Sequence, residues 1–161
     1  MAADLSPAMR ALYEGDRERA EQLLPPDDEL SVFEAAAFGR VDALRAILDA
    51  DPAQANAMAP DGFTPLHLAC FAGGPTVTQL LVERGADLER ISEADIAQVR
   101  PLGTAAFSGD RASAKILLDA GANPNGQGGG GGTPLQAAEA NGDGEMIRLL
   151  KSYAADGGSR A

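Results

Sequence analysis

Apolar residues recur along the chain in short stretches, each in the same register relative to a glycine. Gly15, Gly39, Gly73, Gly109 and Gly142 serve as anchors, spaced 24, 34, 36 and 33 residues apart. Four residues before each anchor stands an alanine: Ala11, Ala35, Ala69, Ala105 and Ala138. Eight and nine residues after it comes an apolar pair: Leu23-Leu24, Ile47-Leu48, Leu81-Val82 and Leu117-Leu118, with the fifth copy reading Leu150-Lys151. A fixed period with this many shared offsets marks an array of small units, each burying its apolar face only against its neighbours.

Within one unit the pattern predicts two helices joined by a tight turn. Thr64 is placed to cap the first helix, and Pro65 follows where its missing N–H is harmless. Gly73 is expected to end that helix and turn the chain. A second helix is predicted over 76–84, with Val77, Leu80 and Leu81 at helical spacing on its inner side. Gly85-Ala86-Asp87 closes it, and Asp61-Gly62 is a hairpin-turn signal. Asp16, Asp110 and Asp143 each follow an anchor glycine, the place for the cap of a second helix. The recurring alanine lets paired helices approach closely.

The segment Asp61-Gly62-Phe63-Thr64-Pro65-Leu66-His67-Leu68-Ala69, followed by Gly85-Ala86-Asp87, resembles an ankyrin repeat. Thr133-Pro134-Leu135-Gln136-Ala137-Ala138 and Gly121-Ala122-Asn123-Pro124-Asn125 repeat the likeness. The resemblance implies an all-α solenoid of stacked helix–turn–helix units, with short hairpin tips and first helices lining a concave face. The expected units are about 6–26, 27–58, 59–90, 91–125 and 126–155 in a single domain, followed by a flexible tail, 156–161. The resemblance also implies that the motif histidine, His67, bonds the Thr64 hydroxyl and nearby backbone in a structural role.

Departures from the pattern are informative. The first unit lacks a hairpin and carries Arg10 and Arg19 where inner units have apolar or small residues, while the last places Lys151 at a normally buried position. Both read as polar end caps, so the array is expected to be complete. In the fourth unit, 91–100 replaces the usual turn sequence and Gly103 stands where the motif has histidine. The glycine-rich stretch 126–132 is expected to be a floppy connection or an elongated hairpin tip.

Composition narrows the functional classes. Twenty-four acidic residues against 13 basic ones give a net charge of −11, which disfavours nucleic acid and anionic membranes as partners. The single Cys70 and single His67 exclude a disulfide framework and a Cys/His-rich metal site. The N-terminus has neither a basic start nor an apolar stretch, and no run of about 18 apolar residues exists, so a cytoplasmic location is expected. His67, Cys70 and Asp61 form a nominal nucleophilic set, but no second motif adds an oxyanion hole or pocket. The 126–132 stretch lacks the Gly-Lys-Ser/Thr ending of a phosphate loop. No calcium-loop spacing occurs among the acidic runs. No catalytic residue, cofactor or metal is expected.

The aromatics carry the sharper signal. They make up only 4% of the chain, yet five of the seven fall at positions that the resemblance places on the concave groove. Tyr13, Phe38, Phe71 and Phe107 occupy the two positions before an anchor glycine, and Phe63 precedes Thr64. Exposed rings on one stripe mark a binding surface, because they offer large rigid contact area at low entropy cost. The alternative for any one ring is that it fills space between units. The sequence thus points to a monomeric, non-catalytic protein–protein interaction module (adaptor, inhibitor or regulatory partner) for a protein with a basic patch. A self-associating structural module and a small enzyme using His67 and acidic residues are the other readings.

Overall fold

Side-chain caps mark where most of the helices begin. In the computed structural model, which describes residues 5–156, helix α1 (Pro7–Tyr13) starts where the Ser6 hydroxyl accepts from Met9 N, and α2 (Arg17–Gln22) where Asp16 accepts from Arg19 N. Ser31 and Glu34 form a reciprocal capping box for α3 (Val32–Ala37), which is followed by α4 (Val41–Ala50). Thr64 and His67 form another for α5 (Pro65–Leu68), and Thr133 with Gln136 a third for α9 (Pro134–Ala140). Between them lie α6 (Pro75–Glu83), α7 (Pro101–Ser108) and α8 (Arg111–Asp119), the last capped by Asp110; Asp143 accepts from Met146 N at the head of α10 (Gly144–Asp156). The described residues hold ten α-helices and no strand. The expected tail, 156–161, lies outside the described residues beyond 156.

The helices stack in two rows. First helices α3, α5, α7 and α9 pack in sequence, and second helices α4, α6, α8 and α10 pack behind them. The alanines four before each anchor sit at the contacts: Ala35, Ala69, Ala105 and Ala138 are fully buried and Ala11 is 3% exposed. Leu48, Leu81, Leu117 and Leu150 fill the space between the rows, in a core that runs along the stack from Leu30 to Leu150. A second cluster, with Ala8, Met9, Leu12, Ala20, Phe38 and Leu68, fastens α1 and α2 to the array. Arg10, Arg19 and Lys151 are exposed, as solvent-facing ends of a solenoid require. None of the helices among the described residues is long and apolar enough to cross a membrane.

Four of the five anchor glycines adopt positive φ, from 65° to 85°, which side-chain-bearing residues rarely do. The third does not. There α5 runs into one turn of π-helix, Ala69–Gly73, and the positive φ moves to Gly74, at 93°. Gly73 meets a different requirement: a Cβ there would lie 1.8 Å from the Ala36 carbonyl oxygen of the preceding unit.

Hairpins project from one edge and lean on one another. Ala59 N donates to Phe63 O and Gly62 N to Ala59 O, closing the first of them. Glu93 N donates to Gly62 O at 2.8 Å, and Gly129 N to Gln98 O at 2.8 Å, so each tip is tied to the next. The floppy connection expected at 126–132 is therefore corrected. Gly128 N donates to Gly132 O, Arg100 Nε donates to Gln127 O, and a Cβ on Gly128 would stand 2.1 Å from Gln98 O. Glycine is there because two backbones touch.

Candidate functional site

First helices and hairpin tips together wall a cleft of about 750 Å³. Of the five rings expected on the binding stripe, Tyr13, Phe63, Phe71 and Phe107 line it. Phe107 is 64% exposed, and Phe63, Phe71 and Tyr13 are half-buried. The Tyr13 and Phe71 rings stand 5.9 Å apart at 52°, a tilted contact. The Tyr13 hydroxyl donates to Asp61 Oδ2 at 2.6 Å, bracing the first helix pair against the third unit's hairpin. Burial, reinforced by that hydrogen bond and by the Asp61 charge, pushes the phenol well above its ordinary pKa.

Phe38 is a correction. It is 5% exposed, packs in the N-terminal cluster, and has the Arg17 guanidinium 5.7 Å over its ring. The reason is register: Phe38 precedes its anchor by one residue, whereas Tyr13, Phe71 and Phe107 precede theirs by two. One residue is about 100° around a helix, enough to turn a ring from groove to core.

Sequence reasoning missed Ile96. It lies at the tip of the fourth unit's hairpin, lines the cleft and is 84% exposed. The hairpin is held by the Ser92 hydroxyl, which donates to Ala97 O and accepts from Val99 N. Ile96 is the one large apolar residue between Glu93 and Gln98, but nothing in the repeat fixes its direction.

His67 is fully buried and both ring nitrogens are engaged. Its Nδ1 accepts from Thr64 N and pairs with the Thr64 hydroxyl at 2.7 Å, while Nε2 lies 2.8 Å from Val99 O. A carbonyl can only accept, so Nε2 carries the hydrogen and the ring is neutral. Burial pushes its pKa down to about 4. Cys70 is also fully buried, and burial pushes its thiol up. A histidine tied at both nitrogens and a thiol held protonated are structural groups: His67 links the third unit's first helix to the fourth unit's hairpin.

Stacked helix pairs whose hairpins touch tip to tip define a repeat solenoid with a cleft along the hairpin side. The family comparison specifies it further. A model described as ankyrin repeats in three copies matches residues 8–92, and one described as ankyrin repeats in many copies matches 104–150. The chain belongs to the ankyrin-repeat family. Its relatives include the rice (Oryza sativa subsp. japonica) "Probable E3 ubiquitin-protein ligase XBOS31", 39% identical over 97 residues that cover 60% of this chain and 21% of that protein. The rat (Rattus norvegicus) ankyrin repeat and SAM domain-containing protein 6 is 32% identical over 123 residues, 75% of this chain and 14% of that one. ADP-ribosylation factor GTPase-activating protein AGD2 of Arabidopsis thaliana is 39% identical over 92 residues, 55% of this chain and 12% of that one. The chain thus spans about a fifth or less of these relatives. Ankyrin repeats generally mediate protein–protein interaction and are generally non-enzymatic.

Proposed function

We propose that the chain is a non-catalytic interaction module, an adaptor, inhibitor or regulatory partner, that binds a protein through its hairpin-side cleft. The observation that carries this reading is the convergence of Tyr13, Phe63, Phe71, Phe107 and Ile96 on one cleft, two of them largely exposed, in a chain with few aromatics. An exposed apolar surface of this kind is stabilised when a partner covers it. The net charge of −11 supports a partner with a basic patch, attracted from a distance and less strongly as salt rises. The protein works as a monomer in the cytoplasm and needs no cofactor.

Affinity capture with wild type and with the double variant Phe71→Ala/Phe107→Ala tests the reading. A partner retained by wild type and lost from an equally folded double variant supports it. Light scattering provides the other arm: a concentration-dependent dimer that the double variant abolishes would assign the stripe to self-association instead.

A further inference from the structure

Six residues before the anchor glycine, the third unit carries His67 and the fifth carries Gln136; the fourth carries Gly103. Gly103 lies inside α7, where glycine is a poor helix former and its φ is unexceptional. Nor does crowding require it. A Cβ built there would meet only the Val99 side chain, at 3.7 Å, an ordinary contact. Gly103 lines the cleft together with Gly130, Gly132, Ile96 and Phe107, so no side chain at this position occupies that part of it.

Three carboxylates neighbour cleft-lining residues in the sequence or by a hydrogen bond. Asp95 beside Ile96 and Glu139, one turn along α9 from Gln136, are exposed, and Asp61 stands at the Tyr13 end. Arg100 lines the cleft, but its guanidinium is committed to Glu89 at 2.6 Å and to Gln127 O. The cleft also continues past Phe71 to Phe63 and Tyr13, so an occupant seated over Gly103 has surface to follow. A volume of about 750 Å³ belongs to the size class that takes several side chains' worth of ligand.

We propose that the opening over Gly103 is a specificity pocket for an extended partner segment that inserts one aliphatic or aromatic side chain between Ile96 and Phe107 and flanks it with lysines or arginines. This rests on the interaction-module reading and adds the chemistry of the partner. A small apolar molecule would fill the pocket but leave these neighbouring carboxylates without a counterpart.

The test is selection from a display library of short random peptides on the full chain, followed by titration against Gly103→Leu and Gly103→Ala. Leucine fills the pocket, alanine barely does, and both improve helix propensity, so both variants are expected to melt no lower than wild type. The selected peptides should share one Leu, Ile, Met or Phe with neighbouring Lys or Arg. They should bind Gly103→Leu at least about tenfold more weakly and Gly103→Ala within about twofold of wild type. Raising sodium chloride from about 0.05 to about 0.5 M should weaken them severalfold. Peptides without basic residues, or with equal affinity for wild type and Gly103→Leu, overturn the proposal. If such peptides still lose affinity to Phe71→Ala, the groove reading survives alone; if nothing is selected, both fall. Saturable, Gly103-dependent binding of Nile red with no peptide selected makes the pocket a small-molecule site and also overturns the proposal. A Gly103→Leu protein that melts several degrees below wild type shows that the space is not open, with the same consequence.

Discussion

Lowering the pH should loosen the array through one side chain. His67 is the only histidine in the chain, and its folded pKa is depressed to about 4 from an ordinary 6.5. Between those values the unfolded chain holds a proton on His67 that the folded protein does not, so acid favours unfolding in this window. At about 1.4 kcal/mol per unit, the shift is worth about 3 kcal/mol once the pH is below 4. About 2 kcal/mol of that is already lost at pH 5, before most carboxylates titrate. The geometry agrees with the sign: a proton on Nδ1 would face the Thr64 N–H that now donates to it. Urea titrations of wild type and His67→Ala, followed by circular dichroism at pH 7, 6 and 5, measure the effect. The variant leaves Val99 O without its partner and opens a void, and should be about 3 kcal/mol less stable at pH 7. Its stability should stay level to pH 5, so the two curves converge as the pH falls. A wild type that is flat between pH 7 and 5, or a variant with the same slope as wild type, would refute the argument.

Three further outcomes follow from burial and close contact. Ala105→Leu should overpack the α7 interface, where Ala105 is fully buried, and lose about 1–3 kcal/mol in thermal melts; unaltered melting means the repeat register is mistaken. Phe38→Ala should lose about 3–5 kcal/mol as a core truncation, whereas Phe107→Ala should stay within about 0.5 kcal/mol of wild type, and equal melts of the two would contradict their assignment to core and cleft. Gly128→Ala should force its hairpin away from Gln98 O and raise amide hydrogen exchange at Gly129 and Gly131, with unchanged protection as the contrary result.

Much of the fold was legible because its determinants are local. Ser, Thr and Asp caps act within three residues, and the alanine seam and apolar pairs repeat at fixed offsets from a glycine. The site was legible only in part. Tyr13, Phe71 and Phe107 share one offset and one face, but Phe38 is a residue out of step, and the spacing of aromatics alone does not separate the two offsets. Two-residue tolerance is harmless for a helix boundary and decisive for the direction of a ring. Ile96 and the tie between Gly129 and Gln98 belong to hairpins outside the repeat register, and that tie joins residues 31 apart in sequence. Gly103 stands out as a departure from the pattern, yet its place in one cleft lining with two exposed apolar side chains, Ile96 and Phe107, needs the neighbouring hairpin in place.

The central claim is that exposed rings on the hairpin side bind a partner rather than hold the fold. Isothermal titration of the partner captured by wild type into wild type, Phe71→Ala and Phe107→Ala, with calorimetric melts of the same samples, tests it most directly. Each substitution should weaken binding by about thirtyfold, equivalent to about 2 kcal/mol, while the melting temperature of Phe107→Ala stays at the wild-type value. Unchanged affinity, or affinity lost only in proportion to unfolding, would contradict the claim.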